Sequence, residues 1–356
     1  MFKLIRESLG LTQEALAERL GLDKNTIQGW ESGRRSLAST RVGDLLRLRH
    51  QLCVLGADGR LLDAMDTAME ADYLLAHALA VEPEDVQPEA HPLAAMVNTG
   101  SLVDMLTWPL TERAPAPLRD AAQAPRRGPV AVAPSLTASE KDRFFQHLRA
   151  AAERSTAGPS AFQVGGVLLR RQVYYLVALD QRSEAAAWLD DMERAEQRQV
   201  GRLDDWSPAW VGARSLAVAQ SRQGDRGPLR RFIEVGLRSD ECEAANLNYW
   251  AYWAGETTGT YHADSFMATG DLGPWHGTTL LRRLSENLLA GDPYMDLCVH
   301  SMWALLERRP RILEDDPELT CSLDELVQVL LDQADVSARA HRELEQVHFL
   351  VRAMRP

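Results

Sequence analysis

The sequence predicts an all-α chain, and three observations carry that prediction. Residues 11–35, LTQEALAERLGLDKNTIQGWESGRR, write two short helices joined by a tight glycine turn. From Thr137 to the C-terminus apolar residues recur at helical spacing almost without interruption, and no period-two strand is evident. Proline and glycine cluster between these runs rather than inside them. At 356 residues the chain is long enough for two or three domains, and 45% hydrophobic with 25% charged content is ordinary for a soluble protein.

Each of the first two helices announces its own start. Thr12 is placed to N-cap one, with Leu11 and Leu16 as an apolar staple; Asp23 repeats the device with Leu22 and Ile27. Gly21 directly follows Leu20, where a residue with positive φ ends a helix at least cost. Leu16 and Leu20 face inward, Ala17 lets a second helix approach, and Ile27 and Trp30 share a buried face. A helical wheel then leaves Asn25, Gln28 and Gly29 outward, flanked by Lys24. Long amide side chains in such positions can pair two-pronged with a base edge in the major groove.

These residues resemble the helix-turn-helix of the lambda-repressor, Cro and Xre-type regulators. The matching positions are Leu11, Thr12, Gln13, Leu16, Ala17, Leu20, Gly21, Thr26, Ile27, Trp30, Glu31, Gly33, Arg34 and Arg35. The resemblance implies that Gln13 holds a backbone phosphate and that Lys24, Asn25 and Gln28 stand where bases are read. Gly29 departs from the pattern, since a polar or basic reader is frequent there, and Leu37 stands near where a proline often follows the arginines. The expected DNA-binding set is Thr12, Gln13, Lys24, Asn25, Thr26, Gln28, Gly29, Arg34 and Arg35, the two arginines as phosphate clamps.

Charge agrees. The net charge of −12 argues against a general affinity for nucleic acid. Residues 1–50 invert the sign, with two lysines and seven arginines against six acids, so +3 there leaves −15 for the rest. Positive charge is confined to the segment with the motif, as a phosphate-contacting surface requires. No apolar run approaches the ~18 residues of a membrane span, and the N-terminus runs straight into a charged helix, so a cytoplasmic protein without a signal peptide is expected. Cys53, Cys242, Cys298 and Cys321 are scattered and read as small buried apolar residues, suggesting neither zinc nor disulfides. Heavy Ala, Arg, Leu and Asp usage with few lysines suggests a GC-rich, actinobacterial genome.

Organisation follows from the breaks. Val42, Leu45, Leu46 and Leu52 would complete the floor under the first helices, and the run Gly56-Ala57-Asp58-Gly59 ends a domain at 1–56. A helical and irregular connecting region spans 57–113, with a helix over 61–79 presenting Leu62, Met65, Met69 and Tyr73, and a short one over 101–106. An Ala/Pro-rich linker covers 114–136 and should be mobile or extended. The domain at 137–356 reads as helices near 138–154, 161–179, 183–197, 207–222, 227–238, 241–255, 276–290, 293–308, 319–334 and 337–354. Short turns at Asp180-Gln181 and Gln223-Gly224-Asp225 suggest stacked antiparallel pairs, an irregular tetratricopeptide-like array whose register, about 43 residues, departs from the ~34 of that repeat.

Within that array the densest aromatic cluster is Asn248 to Trp253. Tyr249, Trp250 and Trp253 with Asn246, Glu256, Trp275 and His276 form the expected ligand-lining set, beside a glycine-rich segment, Gly255 to Gly277, of the length that is commonly functional or disordered. The competing reading is that these aromatics are core packing. His262, Asp264, His276 and His300 are too widely spaced to match a metal-ligand pattern. No phosphate-cradling loop, nucleophile elbow or paired-carboxylate signature appears, so neither catalysis nor a cofactor is expected.

The sequence therefore predicts a sequence-specific transcriptional regulator, dimeric because one helix-turn-helix reads too few base pairs for selectivity. Its partners would be double-stranded operator DNA, a small-molecule or peptide effector and a second copy of itself, with no membrane. The architecture is similar to that of bacterial quorum regulators joining this motif to tetratricopeptide repeats. The alternative is a DNA-tethered interaction protein whose helical array binds a partner protein.

Overall fold

Local signals at the N-terminus start and stop the first helices. The Thr12 side chain accepts a hydrogen bond from the Ala15 amide, starting a helix that ends at Gly21 in the left-handed conformation, φ 66°. Asp23 accepts from the Asn25 amide and starts the next. A computed structural model describes residues 1–119, 134–156, 163–197, 203–289, 292–333 and 335–354. Among these the regular structure is helical, with no strand. The expected linker at 114–136 falls largely on 120–133, outside the described residues.

The chain divides into two units. The first comprises Met1–Asp85 and Gly100–His147, the second Val86–Thr99 and Leu148–Pro356. In the first, α1 (Phe2–Ser8), α2 (Gln13–Leu20), α3 (Lys24–Glu31), α4 (Val42–Val54), α5 (Gly59–Ala80) and α6 (Gly100–Thr111) follow in order. Helix α1 packs on α3 and α5, and α5 also receives α4 and α6. Ile5, Leu16, Ile27, Leu52 and Met65, all fully buried, form the centre.

Three details differ from the sequence reading. Val42 and Leu46 are exposed and Leu45 is half-buried, because α4 turns Leu48 toward the core together with the expected Leu52, one helical turn on. Tyr73, on the stripe of α5 that buries Leu62 and Met65, is 58% exposed. The short helix expected at 101–106 runs on to Thr111 through Pro109, which forfeits one backbone bond. Burial of Leu102, Val103, Leu106 and Trp108 holds that helix together across the lost bond.

Helix α7 (Ala138–Ser155) carries the chain out of the first unit. The second unit holds α8 (Val164–Val177), α9 (Ser183–Gln197), α10 (Pro208–Arg222), α11 (Gly227–Gly236), α12 (Asp240–Ala254), α13 (Thr278–Leu289), α14 (Met295–Arg308), the single turn α15 (Ile312–Asp315), α16 (Pro317–Gln333) and α17 (Ala338–Ala353). The ends agree with the sequence reading to within a few residues; the expected positions 161–162, 290 and 334 lie outside the described residues. Neighbours in sequence pack together, α10 on α11, α13 on α14 and α16 on α17, and α10 and α17 also reach back to α8 and α14. The two turns singled out above are tied: Gln223 Nε2 donates to the carbonyls of Ala178 and Asp180 at 2.9 and 2.8 Å.

Residues 86–99, expected to be part of the connection, are built into this unit by buried polar bonds. Gln172 donates to the carbonyls of Leu93 and Met96 and accepts from the Asn98 amide, while the Tyr252 hydroxyl donates to the Val97 carbonyl. Each bond satisfies backbone that would otherwise be buried unpaired. Cys242 and Cys298 are buried as the composition suggests, Cys321 is half-buried, and Cys53 is exposed on the outer face of α4.

Candidate nucleic-acid interface

Polar side chains behind α3 form a relay that fixes its approach to α2. Gln28 Nε2 donates to Gln13 Oε1 at 3.2 Å, and Gln13 Nε2 donates to Glu31 Oε2 at 2.6 Å. Glu31 is held from the other side by Arg6, through Nε at 2.6 Å and Nη2 at 3.2 Å, and Arg6 also donates to the Leu11 carbonyl. The Glu31 side chain is 5% exposed and that of Arg6 12%, so this is a charge pair largely removed from water, costly to break from one side. Phe2 meets the half-buried Trp30 edge to face at 5.2 Å, closing α1 against α3.

The structure brings most of the expected set to one short stretch. Asn25, Arg34 and Arg35 are exposed, while Thr26 and Gln28 are half-buried. Thr12 is exposed but spends its side chain on the α2 cap, and Gln13 is half-buried in the relay. Lys24 is paired with Glu14 across the α2–α3 turn, and that hydrogen bond holds the Glu14 carboxyl below its ordinary range.

Gly29 is the correction. The wheel reading placed it outward, yet it is buried beneath the stem of Arg35. A Cβ at Gly29 would stand 3.2 Å from Arg35 Cδ and 3.3 Å from Cγ, and the Arg35 amide donates to the Gly29 carbonyl at 3.1 Å. The missing side chain lets the arginine fold back over α3 and keep its guanidinium at the surface. Leu37, the other departure, is buried in a turn capped by Ser36.

The expected ligand-lining residues separate into two groups. Asn246, fully buried, accepts from Arg214 Nε at 2.9 Å and donates to Ser301 Oγ at 3.0 Å. Tyr249 and Trp250 pack against the same Arg214, and Trp253 bridges Tyr249 and Tyr175. The other three make separate local contacts. Glu256 accepts from the Leu280 amide in the first turn of α13, Trp275 donates to Asn248 beneath the Arg309 guanidinium, and exposed His276 is taken by Thr278 and Asp315. The segment from Gly255 to Gly277 is pinned: Arg171 pairs with buried Asp264, and Asn248 Nδ2 donates to Met267, Thr269 and Asp271. His262 bonds the Ala95 carbonyl and His300 bonds Glu343, so the four residues weighed as metal ligands have four different partners.

Sequence reasoning missed Arg6 as the clamp behind Glu31 and Arg214 as the partner of Asn246. The available signal for Arg214 was an arginine in a run of small and apolar residues, Val211 to Ala219, where its helix is almost wholly buried.

A helix-turn-helix family model matches residues 2–48, the span of α1 through the first half of α4. No curated protein and no solved structure matches the chain. The family match supports a DNA-binding regulator, and no helix among the described residues is long and apolar enough to cross a membrane.

Proposed function

We propose that the protein is a sequence-specific transcriptional regulator that binds operator DNA as a dimer, with its second unit sensing a small ligand or peptide. What supports the reading is the α2–Gly21–α3 geometry, with Asn25 exposed on α3 and half-buried Gln28 held against Gln13 of α2. Asn25 and Gln28 read base edges, Thr26 and the Lys24 ammonium support them, and Gln13, Arg34 and Arg35 hold phosphates. Thr12 and Gly29 serve the interface indirectly, one by capping α2 and the other by seating Arg35.

A dimer on two half-sites about 34 Å apart, or a multiple, gives the contact length that one short helix lacks. The tetratricopeptide-like pairing of the second unit and its service as sensor belong to the same proposal. A partner protein on the helical array is the second reading, favoured by Phe349 on α17 and Val329 on α16, 74% and 51% exposed. The test is sedimentation of the full chain with a duplex selected from random sequence. Two protomers per duplex support the proposal; one protomer per duplex at saturation contradicts its dimer.

A further inference from the structure

Seven side chains of the second unit close into a ring. The Arg214 guanidinium stands 4.7 Å from the Tyr249 ring and 5.4 Å from the Trp250 ring. Tyr249 leads to Trp253 at 6.1 Å, and Trp253 to Tyr175 at 5.3 Å. Arg222 lies 5.1 Å from Tyr175 and 5.8 Å from Tyr294, and Tyr294 returns to Trp250 at 6.4 Å. Arg214, Tyr249, Trp250 and Tyr294 are buried, whereas Tyr175, Trp253 and Arg222 are half-buried. Burial around the ring is thus fullest on the Arg214 side and least on the side of Tyr175, Trp253 and Arg222.

The Arg214 side is electrically incomplete. Arg214 is 5% exposed, and no carboxylate among the described residues pairs with it. Its Nη2 is buried without a hydrogen bond. Arg171, the neighbouring guanidinium whose charge also bears on it, is already committed to Asp264. Burial lowers Arg214 to about 10, against the pull of the tyrosines and helped by Arg171, so it is still a cation at neutral pH. A buried cation without a counter-charge is costly, and the aromatic faces beside it offset only part of that cost. Meanwhile Asn246, anchored on Ser301, takes Nε and fixes the plane of the guanidinium, leaving the Nη side for another acceptor.

We propose that this ring binds a small aromatic anion, its carboxylate or phosphate paired with Arg214 and its planar body against Trp250 and Trp253, with Arg222 on the less buried side. The inference rests on the sensing role proposed above and names the ligand class for it. A planar acceptor on a fixed guanidinium and a flat apolar wall are the two elements such a ligand needs.

Titration calorimetry of the full chain with benzoate, phenyl phosphate, benzamide and phenol tests it. At least one anion should bind saturably, with its neutral counterpart weaker by at least about tenfold. Tighter benzoate identifies a carboxylate and tighter phenyl phosphate a phosphate. Arg214→Met should abolish anion binding without lowering the melting temperature, since it removes an uncompensated buried charge; Arg222→Gln, on the less buried side, should weaken binding several-fold with the fold intact. Neutral and anionic probes binding alike, no anion binding at millimolar concentration, or unchanged binding in both variants would overturn the site. Anion binding with no change in DNA affinity would leave the site standing and overturn only the sensing role.

Discussion

Gly29 and Arg35 act as one unit, and that coupling makes the glycine testable. Gly29→Ala gains helix propensity of about 1 kcal/mol, while its Cβ pushes on the Arg35 stem at 3.2 Å, a flexible and exposed side chain able to move. We expect the urea midpoint to rise slightly and affinity for all DNA sequences to fall; a lower midpoint would show that the Arg35 stem cannot yield. Glu31 carries the opposite kind of weight. It joins Arg6 to Gln13, so Glu31→Ala leaves Arg6 only the longer Glu7 pair at 3.5 Å and the Leu11 carbonyl and should cost about 1.5–3 kcal/mol, the scale of a charge-assisted hydrogen bond. Chemical denaturation of the variant checks this, and a loss below about 0.5 kcal/mol, the scale of a surface pair, would contradict the bracing role.

Helices were legible wherever capping and spacing agreed. Thr12, Gly21 and Asp23 do in the structure what their chemistry predicts, and the helix ends of the second unit follow from apolar spacing alone. What was not legible depends on partners distant in sequence. Nothing local tells Leu48 from Leu46, because only the arrival of α5 decides which face of α4 is covered. The roles of Glu256 and Trp275 likewise rest on α13 and on Asn248. Helix α17 is held to α14 partly by Glu343, which bonds His300 at 2.9 Å and Arg339 at 2.8 Å. Burial raises the Glu343 carboxyl, but those two partners outweigh it and the net shift is downward from 4.5. A lowered carboxylate stabilises the fold above its unfolded value and loses that contribution as pH falls through the folded value. Stability should therefore decline as pH drops below about 4.5, and Glu343→Gln should flatten that decline; an unchanged acid limb would contradict the role given to the pair.

At the level of the whole chain, the basic surplus lies in the segment that matches the helix-turn-helix and the acidity elsewhere, and the change of sign falls inside the first unit rather than at its boundary. The structure extends the first unit beyond the expected 1–56, since α1 packs on α5 and the core includes Met65. The central claim is that α3 reads sequence, and competition binding on selected and random duplexes at fixed salt measures it. The parent chain should prefer the selected duplex by at least about a thousandfold. Asn25→Ala should lose about 1–3 kcal/mol on that duplex and almost nothing on random DNA, while Arg34→Ala weakens both and lowers the salt slope. Equal losses on both duplexes for Asn25→Ala, or no preference in the parent chain, would contradict the assignment.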